Sequence, residues 1–171
     1  MHLLIDGYNL IKQSPALRSL EQVELQKARE GLIERLARYK RVKGHSITVV
    51  FDGWQEGRAA GQRERSRGIE VVFSRAGEKA DDVLKRLAAE KKGAAVVVTS
   101  DREVASFAEK KGAGVMSAPD FEDRMEMARF YDLKGGEEEA SPDRPVAPEK
   151  KGPSRRLSKS QRKRIGAAKK L

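Results

Sequence analysis

Five short runs rich in Val, Ile and Leu recur along the chain, at 2–6, 47–52, 69–73, 95–99 and, more weakly, 114–117. They are almost continuously apolar rather than alternating, as expected of strands covered on both faces in a parallel sheet. Between them, apolar residues fall at three- and four-residue steps. Residues 21–40 place Leu25, Ala28, Leu32, Leu36 and Tyr39 on one side, widened by Val23 and Ile33. Residues 79–91 do the same with Ala80, Val83, Leu84, Leu87 and Ala88. Residues 102–111 carry Val104, Phe107 and Ala108 before a stop at Gly112, and 119–133 start on Pro119 and carry Phe121, Met125, Ala128 and Phe130 or Tyr131. This alternation predicts an α/β fold, a three-layer α/β/α sandwich with right-handed crossovers and helices on both faces. Residues 53–68 hold Trp54, Arg58, Arg63, Arg65 and Arg67 with little apolar content, and are expected to be a mobile basic loop.

Acidic residues stand where these elements change. Asp6 ends the first strand, Asp52 the second, Asp101 follows the fourth, and Asp81 and Asp82 open the helix after the third. In an open parallel sheet the carboxyl ends of the strands share one edge, where ligands bind. Carboxylates gathered there repel one another unless a cation joins them. Hard oxygen donors suit Mg2+ or Mn2+. Asp6, Asp81 and Asp101 are the first candidates for catalysis and metal binding, followed by Asp52 and then Asp82. Each also has an ordinary structural role open to it. Asp101 would cap a helix, Asp81 and Asp82 would be first-turn acids, and Asp6 and Asp52, both followed by Gly, would close turns.

Around these acids lie candidate substrate contacts. Tyr8 and Trp54 offer rings on which an unpaired base could stack, against a plain packing role. Asn9 could orient a carboxylate or touch substrate. Thr99 and Ser100 could bind a phosphate or simply shape the turn into a helix. Arg58 and Arg63 could contact backbone phosphate, against a solvated charge run. With only His2 and His45 in the chain, a histidine-based nuclease has little material.

Composition narrows the class. The net charge is +10, and 134–171 contribute +7 of it, from 12 Lys/Arg against 5 Asp/Glu. Such a bias favours a polyanion through counterion release. The absence of cysteine excludes disulfides and thiolate metal sites and fits a cytoplasmic setting. No apolar run approaches the roughly 20 residues of a membrane span, and no signal peptide is expected. Pro142, Pro145, Pro148 and Pro153 mark 134–153 as a linker, leaving 1–133 as the folded domain and 154–171 as a basic tail.

Leu4-Ile5-Asp6-Gly7-Tyr8-Asn9, Val49-Val50-Phe51-Asp52, Glu78-Lys79-Ala80-Asp81-Asp82 and Val98-Thr99-Ser100-Asp101 together resemble the YacP-like branch of NYN domains, within the wider PIN-like nuclease group. The resemblance runs through 1–133, and no motif of 134–171 takes part in it. It implies a PIN-like sandwich with strand order 3-2-1-4-5 and divalent-metal-dependent cleavage of RNA. It also implies mRNA and the ribosome as partners, with Asp6 and Asp81 as the core acidic pair and Asp101 completing the site. A non-catalytic RNA- or ribosome-binding module, a DNA-cleaving enzyme and a phosphatase with Asp6 as nucleophile are the competing readings. The last lacks the second acid of an Asp-X-Asp pair, since position 8 is Tyr.

Overall fold

The computed structural model describes residues 1–53 and 61–138, the last five by their backbone alone. The chain divides into a unit Met1–Ala140 and a second, Ser141–Leu171, which lies outside the described residues. Of the linker expected at 134–153, residues 134–138 continue the last helix in their backbone; the rest of it, the tail expected at 154–171, Trp54 and Arg58 lie outside the described residues.

In chain order the elements are β1 (His2–Asp6), α1 (Gly7–Gln13), α2 (Pro15–Val23), α3 (Leu25–Lys43), β2 (Ser46–Phe51), β3 (Gln62–Ser66), β4 (Ile69–Phe73), α4 (Ala80–Lys91), β5 (Ala95–Val98), α5 (Arg102–Lys110), β6 (Gly114–Met116) and α6 (Ala118–Glu138). They form one sheet ordered β3-β4-β2-β1-β5-β6. Five strands are parallel, with β1 central between β2 and β5. The fold class is the α/β sandwich expected, and those five strands keep the expected order. The difference is β3, an antiparallel strand added beyond β4 inside the stretch read as a loop. Its sequence, Gln-Arg-Glu-Arg-Ser, has no buried residue, so no apolar signal announces it. A neighbouring edge with free backbone donors and acceptors is enough to order it.

Two cores flank the sheet because strand side chains alternate between faces. Leu3, Ile5, Val49, Phe51, Val71 and Phe73 face α1, α2, α3 and α6, burying Leu10, Leu32, Leu36 and Phe121. Leu4, Val50, Val72 and Val97 face α4 and α5, burying Leu84, Leu87 and Val104. The helix read over 21–40 is broken at Glu24, whose backbone is extended (φ −160°, ψ 118°). The break lets α2 fold back and pack on α3, which one straight helix could not do. Helix α1 spans only 7 residues, too few to show a periodic stripe.

Candidate carboxylate site at the strand ends

The site grows from three chain reversals. At the first, Asp6 leaves β1 and caps α1, with Oδ1 accepting from the Asn9 backbone N–H at 3.1 Å. At the second, Asp52 follows β2 and reaches across the edge, where its Oδ1 accepts from the Ala80 N–H at 2.7 Å, at the first turn of α4. At the third, Asp101 caps α5, with Oδ1 accepting from Glu103 N at 2.7 Å and Val104 N at 3.1 Å. Each carboxylate thus gives one oxygen to a helix N-terminus, where orphan N–H groups and the dipole favour negative charge. Among the described residues none makes a hydrogen bond through Oδ2. The capping bonds fix the side chains and leave one oxygen of each available.

The glycines after Asp6 and Asp52 serve close approach rather than turn conformation. Neither has a positive φ. A Cβ on Gly7 would lie 2.2 Å from the Phe51 ring, and one on Gly53 would lie 2.1 Å from the Ser74 carbonyl oxygen. These glycines let β1–α1 and the end of β2 crowd their neighbours, whatever turn the Asp-Gly pairs close.

Asp81, in the first turn of α4, is the carboxylate with no hydrogen-bond partner among the described residues, and it lies at the centre of the group's field. Burial raises its pKa, and repulsion from Asp101, Asp52 and Asp82 raises it further, against an opposing pull from Lys85. Asp6 is pushed up to about 6, first by burial, with Asp81 and Asp52 adding to it and the Asn9 N–H opposing. Asp6, Asp52, Asp81 and Asp101 therefore share one electrostatic environment. Asp82 stands apart: it is exposed, and its carboxylate accepts from the Lys79 N–H at 3.4 Å as an ordinary first-turn cap.

The donor set suits a hard divalent cation in kind, being carboxylate oxygen alone with an excess of negative charge. Its arrangement is looser than a cage of direct ligands. Among the described residues no three Asp, Glu, His or Cys side chains stand close enough to hold an ion between them. Magnesium commonly keeps several waters and takes one or two carboxylates plus substrate phosphates, so a loose set of this kind fits it.

The remaining candidates divide. Asn9 links two of the reversals, its Oδ1 accepting from the Ser100 N–H at 3.3 Å. Ser100 is exposed beside it. Thr99 is 2% exposed and its hydroxyl accepts from the Asp101 N–H at 3.1 Å, so it shapes the turn rather than facing solvent. Tyr8 corrects the expectation of a stacking ring. It is 8% exposed, packs edge-on against Phe51 at 5.1 Å, and its hydroxyl accepts from Arg29 Nη1 at 3.2 Å. The apolar face of α1 buries it, a fate its neighbours Leu10 and Ile11 foreshadow. Arg63 lies on β3, 3.6 Å from Glu70.

Sequence reasoning missed the cations beside the acids. Lys12 and Lys85 each lower the pKa of a site carboxylate, and Lys85 also pairs with Glu103 of α5. Lys85 follows Asp81 by four residues, the spacing at which two side chains share a helix face, and that signal was available.

Known proteins share this architecture. A crystal structure of a Rae1 (YacP) variant from Bacillus subtilis superposes with a TM-score of 0.70 and 27% identity, covering 86% of this chain and 87% of that one. A second crystal structure of Rae1 (YacP) from the same organism gives a TM-score of 0.68 at 24% identity over 99% and 89%, a likeness of fold. YacP of Bacillus subtilis (strain 168), an uncharacterised protein, is 34% identical over 86 residues, half of this chain and half of that relative's length. No described helix is long and apolar enough to cross a membrane. A model of the YacP-like NYN domain matches residues 3–169, so the likeness runs through the basic tail that carried no recognisable motif. The chain belongs to the YacP-like NYN domain family.

Proposed function

We propose that the protein is a divalent-metal-dependent endoribonuclease, acting in the cytoplasm on RNA, mRNA in particular, with the ribosome as a partner. Membership of an NYN family is consistent with a nuclease-type hydrolase. The observation that carries the chemistry is Asp81, half-buried and without a hydrogen-bond partner among the described residues, in the joint field of Asp6, Asp52 and Asp101. Bound at this edge, Mg2+ or Mn2+ would offset that charge and act as a Lewis acid on a phosphodiester. The chain's own contribution is placement. Asp6, Asp52 and Asp101 are held through Oδ1 by helix N-termini, Asn9 ties the α1 turn to the α5 turn, and Lys12 and Lys85 supply positive charge for a phosphate. The reading of RNA and the ribosome draws on the branch resemblance and on the net charge of +10.

The test is cleavage of single-stranded RNA with Mg2+ or Mn2+ against EDTA. Asp6→Asn and Asp81→Asn should each slow cleavage by about 10²–10³-fold, the usual loss when an electrostatic group at the reacting centre is removed. Asp82→Asn should change it far less, since that carboxylate is exposed, caps α4 and exerts the weakest of the repulsions on Asp81. Cleavage that persists in EDTA, or that both variants retain in full, overturns the assignment. A non-catalytic RNA- or ribosome-binding module is the second reading, favoured by the lack of a closed three-ligand set among the described residues. RNA binding without turnover under either metal would select it.

A further inference from the structure

Two clefts of the described residues lie away from the carboxylates. One, of about 500 Å³, is lined by His2, Lys40, Ser46, Arg63, Arg65 and Glu70, with Glu64 also on its wall. His2, Ser46 and Glu70 belong to the starts of β1, β2 and β4, so this cleft opens at the sheet edge opposite the acids. The second, of about 440 Å³, is lined by Glu34, Ala37, Arg38 and Arg41 of α3 together with Arg67, so it lies on the α3 side, around the edge strand from Arg63 and Arg65. Strand β3 connects them to the carboxylate edge. Gln62 pairs with Phe73 at the carboxyl end of β4, and Ser66 pairs with Ile69 at its start, so β3 traverses the sheet from one edge to the other. Arg63 and Arg65 stand opposite Val72 and Glu70, on the same face of the strand. The helices on that face, α4 and α5, lie chiefly over β1, β2, β5 and β6, and α4 meets β3 only at its Gln62–Arg63 end, where Val83 and Arg86 share a cleft with Arg63.

The floor of the larger cleft is built rather than incidental. Thr48, wholly buried, donates to Glu70 Oε2 at 2.6 Å and bonds His2 Nε2 at 2.7 Å, and Glu70 in turn draws Arg63 to 3.6 Å. At the far end, the hairpin turns through Arg67 and Gly68, both left-handed (φ 50° and 80°). Gly is at home there, whereas a non-glycine residue costs roughly 1–2 kcal/mol. Arg67 thus occupies a strained hairpin position where Asn or Gly would sit more easily. Arg65 and Arg67 form no ion pair among the described residues and are exposed.

We infer that β3 is a phosphate rail: a single-stranded RNA segment leaving the carboxylate edge runs along Arg63 and Arg65 to Arg67, anchoring the strand at a second site remote from the chemistry. Arginines two apart on an extended strand are spaced about 6.7 Å, and five residues span about 17 Å, a length that takes several successive phosphates. The inference rests on RNA being the ligand of the carboxylate edge.

Binding is read by fluorescence anisotropy on the full chain, with a labelled single-stranded RNA of about 20 nucleotides, in EDTA and across a salt series. The double variant Arg65→Gln/Arg67→Asn removes both charges, with Asn chosen because it tolerates a left-handed backbone. It should bind about tenfold more weakly and lower the salt slope by about 1.4, the loss of two contacts to a single strand. Lys110→Gln/Lys111→Gln removes the same charge at the end of α5, beside the opposite edge strand, and should cost far less. An unchanged affinity and slope for the β3 pair, or an equal loss in the control, overturns the rail. Because cleavage is not read, the two ideas fail separately: a cleaving enzyme indifferent to Arg65 and Arg67 loses only the rail, and a rail on a protein that never cleaves loses only the hydrolase.

Discussion

At the scale of single residues, the acids bear two demands at once. Asp6 shows the cost. Its native pKa of about 6 exceeds the ordinary 3.8, so the folded state holds its proton longer than the unfolded chain. Stability from this group is therefore fully present below pH about 4 and declines as pH rises to about 6, since the unfolded state binds fewer protons over that window. The penalty above pH about 6 is on the order of 3 kcal/mol, at 1.36 kcal/mol per pKa unit. Asp6→Asn keeps a good N-cap while removing the charge. In EDTA at pH 8 the variant should melt above the wild type, and the difference should vanish near pH 4. Thermal melts at the two pH values check this, and a wild-type advantage at pH 8 would mean the carboxylate is stabilised by something other than a metal. Asp6 and Asp101 also show that a capping role does not use up a carboxylate, because it occupies one oxygen and leaves the other.

At the scale of elements, the site depends on how tightly β1–α1 and β2 are drawn together. Gly7 packs α1 directly on the Phe51 ring, and no side chain fits between them. Gly7→Ala should destabilise the fold by about 1–3 kcal/mol, the usual cost of overpacking a filled core. A shift in the denaturant midpoint at unchanged slope would register it, and an unaltered midpoint would show that Phe51 has room to move. Strand β3 belongs to the same scale. Its arginines were legible as positive charge, but nothing in Gln-Arg-Glu-Arg-Ser announces a strand, because its order comes from pairing with β4 and not from burial.

At the scale of the whole molecule, the buried core of the described residues runs from Leu3 to Ala128, inside the unit Met1–Ala140. A chain ending at Ala140 should keep a single cooperative unfolding transition by circular dichroism; a broad, non-cooperative melt would place part of the core's support beyond it. The sequence by itself determined the sandwich and the positions of the acids at element ends, since continuous apolar runs, helical periodicity and capping chemistry are local properties of the chain; the order of the five parallel strands leaned on the family resemblance. Tertiary structure alone decided which of those acids share a field. Asp81 and Asp82 are adjacent and chemically identical, yet one enters the group and the other caps its own helix, because neighbours on α4 point about 100° apart and only one direction meets the sheet edge. Tyr8 was settled in the same way: its ring goes to the core because α1 lies against Phe51, a contact between residues 43 positions apart that no local pattern encodes.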